Sequence, residues 1–240
     1  MRRTISQCLL VSTLVLFACV QPVATYAQEV APFTQEGGGR AKDLFYGLEE
    51  KLLRGTAWVV RAQTTSEGAF ESDLSGAVAL RQGNIARIEL NGRFGGKPAD
   101  AFLISDGAVL LFGEAQVGSF EDEVPWALNE AIIIGMTRMG LLHNFARLTA
   151  ADLPDRMKGG VRDWVEVTDF SLGEIEILNE RPVLPISFSL IVSGQPAGEA
   201  TLWLDEATGL PVRRRQIVNF ETGTMTVTET YEFEDLPAYQ

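Results

Sequence analysis

The sequence predicts an α+β fold: a curled antiparallel sheet of roughly 10–11 strands, a half-barrel, with helices covering its concave face. Three observations predict it. Short runs with period-two alternation of apolar and polar residues recur along most of the chain. One helical pattern precedes these runs and another interrupts them midway. Finally, about ten strands cannot stay flat, because the twist between neighbours accumulates until the sheet coils.

The helical pattern comes first. Leu44, Phe45, Leu48, Leu52 and Leu53 recur at helical spacing over Lys42–Arg54, and Gly55 stands where a helix C′ residue belongs. From Ala57 the period shortens to two. Trp58–Ala62, Leu74–Leu80, Ile85–Leu90, Ala101–Ile104 and Val109–Phe112 read as strands, separated by turns such as Gln82-Gly83-Asn84 and Ser105-Asp106-Gly107. Pro125–Leu148 is helical again, and its apolar residues cover much of the circumference, so it is buried; Gly135 and Gly140 are candidate breaks. Strands resume at Val161–Asp169, Glu174–Leu178, Pro185–Val192, Glu199–Leu204, Val212–Phe220 and Met225–Phe233.

The last strands alternate most cleanly. Ile186, Phe188, Leu190 and Val192 oppose Ser187, Ser189 and Ser193, while Met225, Val227, Tyr231 and Phe233 oppose Thr224, Thr226, Thr228 and Thr230. One apolar and one wet face mark an antiparallel sheet.

Residues 1–27 read as an export signal. Arg2 and Arg3 precede a 13-residue apolar run, Cys8–Val20, too short to span a bilayer. Small residues then lead to Ala27, the expected cleavage position. Leu16-Phe17-Ala18-Cys19 is the rival, a lipobox that would leave Cys19 lipid-modified and the protein membrane-anchored. A Gly-rich, mobile lead-in is expected over 28–40 and a single domain over 41–236. The expected location is the periplasm of a Gram-negative-type bacterium.

Charge and cysteine usage narrow the function. Without Arg2 and Arg3 the chain keeps 18 of its 20 basic groups against 32 acidic ones, a formal charge of −14. Such a charge repels nucleic acid and anionic membrane surfaces. Both cysteines lie in the signal, so cleavage at Ala27 leaves no thiol chemistry. No later segment reads as transmembrane, because Glu130 and Arg138 interrupt the most apolar one.

Catalytic chemistry has little to work with. His143, the lone histidine, sits in an apolar helical run and reads as a packed residue, not as a base. No Gly-x-Ser-x-Gly elbow occurs. Gly95-Gly96-Lys97-Pro98 lacks the first glycine and the Ser/Thr of a phosphate loop. Glu121-Asp122-Glu123 reads as a solvated loop leading into the helix, although such a group could hold a metal. The expectation is a non-enzyme that needs no cofactor.

Thr201–Phe220, TLWLDEATGLPVRRRQIVNF, carries the sharpest local question. It reads as a hairpin joined by Glu206–Leu210, with Gly209 supplying the positive φ and Pro211 opening the second strand. Alternation turns Arg213 and Arg215 outward, toward acids such as Glu229 or Glu232. Arg214 points to the apolar side near the rim. There it snorkels outward, or a bulge resets the register, or it bonds a ligand's anionic group or a lid carbonyl.

The order of elements resembles the LolA/LolB-like superfamily, which comprises periplasmic lipoprotein carriers and RseB-type sensors. The resemblance is carried by Ser105-Asp106-Gly107 with Val109–Phe112 and Gln116-Val117, by Leu202-Trp203-Leu204-Asp205, by Thr208-Gly209-Leu210-Pro211 and by Tyr231-Glu232-Phe233. It implies an open half-barrel of roughly eleven strands whose concave, helix-plugged face receives lipid or lipoprotein acyl chains. The lid-bonding arginine of the carriers would fall at Gln82, beside Arg81.

The expected lining comprises Ile186, Phe188, Leu190, Val218, Phe220, Tyr231 and Phe233, with Arg214 at the mouth. Ile132, Met136 and Leu142 cap it. The alternative is an envelope sensor or protein-interaction domain resembling RseB, with an envelope protein as partner.

Overall fold

The computed structural model describes residues 35–115, 118–149, 162, 165–192, 194–220 and 223–234. The expected signal, both cysteines, the Ala27 and Cys19 cleavage sites and Gln116-Val117 lie outside these residues.

Helix α1, Gln35–Arg54, opens the fold. It starts earlier than Lys42, so Gly37–Gly39, expected in a mobile lead-in, form its first turns instead. The reason is tertiary. A Cβ at Gly38 would stand 3.0 Å from the Phe170 carbonyl oxygen, so glycine lets this end of the helix lie close on a neighbouring strand.

Strands β1 (Ala57–Gly68), β2 (Ser72–Arg81), β3 (Ile85–Phe94), β4 (Lys97–Asp106), β5 (Val109–Glu114) and β6 (Gly118–Glu123) follow as a meander. Most are longer than their apolar cores suggested, because the ladder continues through polar residues such as Thr64 and Ser66. Gly95 and Gly96 form the β3–β4 turn, both at positive φ. Glu121-Asp122-Glu123, read as a loop, is strand β6, hydrogen-bonded to β5 from Val109↔Glu123 to Glu114↔Gly118. An edge strand solvated on both faces carries no apolar alternation, which is why its pattern reads as loop.

The helical insertion comprises α2 (Leu128–Met139) and α3 (Leu141–Leu148). Only Gly140 breaks it. Gly135 lies inside α2, where a Cβ would stand 1.9 Å from Asn144 Oδ1, so it serves the close approach of α3. Strands β7 (Val165–Leu172), β8 (Glu176–Leu178), β9 (Arg181–Val192), β10 (Gln195–Asp205), β11 (Pro211–Phe220) and β12 (Gly223–Glu234) complete the chain. The turn between β10 and β11 is as expected, with Gly209 at φ 65° and Thr208 N–H donating to Asp205 Oδ1 at 2.8 Å.

All twelve strands join one antiparallel sheet in the order β6-β5-β4-β3-β2-β1-β12-β11-β10-β9-β7, with β8 on β9. The first and last strands pair along their length, from Val59↔Glu234 to Gly68↔Met225, which seats both halves in one surface. The sheet is not closed: β6 and β7 are its edges. Its apolar face, including Val60, Val78, Ile88, Leu103, Ile186, Leu202 and Val227, forms one core with Phe45 and Leu48 of α1 and the apolar residues of α2 and α3. Among the described residues, no helix is long and apolar enough to cross a membrane.

Candidate functional site: a helical cover latched to the sheet

Three helices cover the apolar face, and the corner between α2 and α3 is where the polar chemistry collects. Ile132, Met136, Leu142, Ile186, Phe188, Leu190, Val218 and Tyr231 are all buried in the same core, so the structure brings these expected lining and capping residues together. Phe233 is partly buried against Trp58, with ring centroids 5.9 Å apart. The side chain of Phe220 lies outside the described residues.

Arg214 is placed differently from its expected rim position. It is 1% exposed and does not snorkel. Its Nη2 donates to the Arg138 carbonyl oxygen at 2.6 Å, in the last turn of α2, so the bond to a cover carbonyl is the one that forms. Gln82 has no comparable place; it is exposed on the β2–β3 turn, its N–H donating to Thr56. Burial pushes the Arg214 pKa down, while the Glu229 carboxylate and Tyr231 push it up.

Glu229 was expected outside the sheet and lies inside it, fully buried. It shares the parity of Met225, Val227 and Tyr231, so alternation places it inward. Its Oε2 accepts from the Leu141 N–H at 2.9 Å and its Oε1 from the Leu142 N–H at 3.0 Å. A carboxylate on the first N–H groups of a helix meets its positive end. The Tyr231 hydroxyl donates to the same Oε2. Burial and that carboxylate raise the Tyr231 pKa well above its usual value, so it stays a neutral donor.

A second buried cluster fastens the other side of α2. Glu49 of α1 takes the Arg138 guanidinium in two bonds, Nε to Oε1 at 2.7 Å and Nη2 to Oε2 at 3.0 Å. Arg138 Nη1 donates to the Val165 carbonyl at 2.6 Å and the Arg162 carbonyl at 3.0 Å. Thr137 Oγ1 also donates to Glu49 Oε1, at 3.2 Å. Thus Arg138 ties the cover to α1 through its side chain and to the sheet through its carbonyl. The fork geometry of guanidinium and carboxylate is what makes such a buried pair specific.

Gly140 joins the two helices at φ 82° and ψ 170°, a conformation that suits glycine. A Cβ there would stand 2.5 Å from Glu229 Oε2 and 2.8 Å from Arg214 Nη1. His143, in the first turn of α3, has its ring nitrogens enclosed although the residue is only half-buried. Burial first, then the nearby Arg214 charge, lower its pKa to about 3, so it is neutral.

The outer face is polar. Arg213 stacks over the Trp203 ring at 5.0 Å, and Arg215 is exposed. Grooves of about 880 and 630 Å³ open on this side, the first bordered by Arg61, Gln63, Thr228 and Thr230, the second by Ser187, Ser189, Thr201 and Arg215.

Sequence reasoning missed Glu49, Arg138, Glu229 and Gln216 as parts of this arrangement. Parity along β12 marks Glu229, and Gln216 shares the inward face of β11 with Arg214 and Val218. For Glu49 the signal is an acid three residues ahead of Leu52 on the apolar stripe of α1.

No protein-family model matches the chain, and no curated protein does. Similar solved structures include the lipoprotein LppX of Mycobacterium tuberculosis, 12% identical over 83% of this chain and 95% of that one, with a TM-score of 0.42. MucB in its complex with MucA from Pseudomonas aeruginosa is 15% identical over 83% of this chain, with a TM-score of 0.40; this chain spans 59% of its length. A LolA superfamily protein of Nitrosomonas europaea is 12% identical over 82% of this chain and 94% of that one, with a TM-score of 0.31.

Proposed function

We propose that this protein is an exported, non-enzymatic carrier that holds lipid or lipoprotein acyl chains between the inner face of its sheet and the α2–α3 cover. The observation that carries this reading is the construction of the cover. Its apolar underside meets an apolar sheet, yet polar contacts fasten it at one corner, through Arg138, Arg214 and Glu229. A core built only for stability has no need of buried ion pairs there, since well-packed apolar residues of similar volume serve as well or better.

The magnitudes permit exchange. Shielding one acyl chain of about 14 carbons from water is worth on the order of 10 kcal/mol at ~0.8 kcal/mol per CH₂. Leaving one buried charge without its partner costs about 3–5 kcal/mol, and opening the corner to water costs less because both charges are rehydrated. One chain therefore offsets the release of the corner. Export to the periplasm, by the signal over residues 1–27, is part of the same proposal.

Native mass spectrometry of the protein purified from its own periplasm tests it. A co-purifying lipid or acylated protein supports the carrier, and a bare chain under lipid-replete conditions refutes it. A second reading, an envelope interaction domain, draws on the edge strand β6, where Phe120 is exposed, and on Trp126 in the connection that follows it, 73% exposed. In the same spectra, a stoichiometric protein partner without lipid favours that reading.

A further inference from the structure

Among the described residues, the enclosed polar atoms without a hydrogen-bond partner include Nε and Nη1 of Arg214 and Oε1 of Gln216, which lie beneath the cover on one strand. Buried polar groups are nearly always paired, and leaving one without a partner is costly, the more so when it is charged. Both residues point inward from β11, two positions apart and so about 6.6 Å apart along the strand. Gly140 packs its backbone closely against Arg214 Nη1, since a Cβ there would stand only 2.8 Å from it, and still that nitrogen gains no acceptor. Two of the three guanidinium nitrogens lack an acceptor, and the glutamine carbonyl lacks a donor.

Charge decides what can complete them. Arg214 and Glu229 balance one another, Arg138 balances Glu49, and Tyr231 is uncharged. An anionic head would add an uncompensated charge to a buried site, which is strongly disfavoured. An ester is neutral but offers only an acceptor. A trans amide offers both, with its C=O and N–H on opposite sides, as two separated partners require.

We propose that Arg214 and Gln216 form a subsite for the amide of a fatty acyl amide, the guanidinium donating to its carbonyl and Gln216 Oε1 accepting from its N–H. This inference rests on the acyl-carrier reading and adds the head-group class to it. The amide can belong to an N-acylated peptide or to a free fatty amide.

Displacement of an uncharged probe, the methyl ester of a dansyl-labelled fatty acid, by competitors of one chain length tests the subsite. The competitors are N-methyl dodecanamide, methyl dodecanoate, dodecanoate and N-dodecanoylglycine amide. The amides should compete at least 10-fold better than the ester, with dodecanoate weakest. Gln216→Leu, which keeps an apolar side chain of similar size in the core, should shrink the amide-to-ester ratio to near 1. Arg214→Met should weaken both neutral heads, and Gln216→Leu carries the test alone if that variant does not fold. The proposal is overturned if amide and ester compete equally, as they do when water alone fills the space. It is also overturned if dodecanoate competes best, or if the ratio survives Gln216→Leu. Failure of the dansyl probe and every competitor to bind refutes the carrier reading itself, and the subsite with it. Either order of the two amides upholds the subsite and names the source, peptide-borne or free.

Discussion

Arg214 and Glu229 stand opposite one another in the β11–β12 register and hold the two sides of one helical corner: Arg214 takes the last-turn carbonyl of α2, Glu229 the first N–H groups of α3. Each charge thus meets the helix end whose partial charge is opposite to its own. Neither interaction is sequence-local, so the corner forms only once the sheet has formed.

The first prediction is that Glu229→Gln destabilises the fold by about 3–5 kcal/mol, because it leaves the Arg214 charge buried without its counter-charge. The Arg214→Met, Glu229→Gln double variant should lose less than the sum of the two single losses. Urea unfolding of the four proteins measures this. Strict additivity would show that the two residues do not act as a unit.

Gly140→Ala should also destabilise, by at least about 2 kcal/mol, through strain at φ 82° and the 2.5 Å approach to Glu229 Oε2. Gly83 provides the control. It has φ 83°, but nothing lies within 4 Å of its added Cβ. Gly83→Ala carries conformational strain alone and should cost about 1 kcal/mol. Equal shifts in the urea midpoint for the two variants would remove the steric role assigned to Gly140.

Removing the other anchor should loosen a different place. Glu49→Ala leaves Arg138 enclosed without its carboxylate, again a loss of about 3–5 kcal/mol. Amide hydrogen exchange should then quicken in α2 and at the start of β7, where Arg138 bonds the Val165 carbonyl, more than in β3–β4. Uniform quickening across the sheet would contradict a local latch.

Much of this fold is legible because apolar alternation reports burial on one face. The runs in β9 and β12 are recognisable for that reason, and Gly209-Leu210-Pro211 fixes their neighbouring turn. What alternation cannot report is a strand without a buried face, and β6 is one. Nor does propensity foresee that Gly37–Gly39 become helical, since the cause is a distant strand at Phe170. The apolar part of the site follows from periodicity. The ionic part does not, because Arg138 appears in the sequence as an interruption of an apolar helix. Its partner Glu49 lies 89 residues away in the chain. Glu229 was readable from its parity, but a buried carboxylate is rare enough that an outward partner for arginine is the ordinary reading.

His143 gives the last prediction, and its sign follows from linkage. Its pKa is about 3 in the folded protein, below the usual 6.5, because burial and Arg214 oppose a charge on the ring. Between these values the unfolded chain binds the proton and the folded protein does not. The stability contributed by the neutral ring is therefore fully present above pH 6.5 and is lost as pH falls toward 3. The slope is at most about 1.4 kcal/mol per pH unit for one group. Asp205, whose pKa is lowered mainly by the Thr208 N–H, loses its own contribution as pH falls below the ordinary carboxylate value of 3.8. Between pH 6 and 4.5, comparison with a variant that lacks the ring separates His143 from the carboxylates, which both proteins share. Urea unfolding across that window should show stability falling with pH in the parent protein and a flatter profile in His143→Leu. A parent profile that is flat from pH 6 to 4.5, or an unchanged slope in the variant, would place the histidine in water and detach it from the latch.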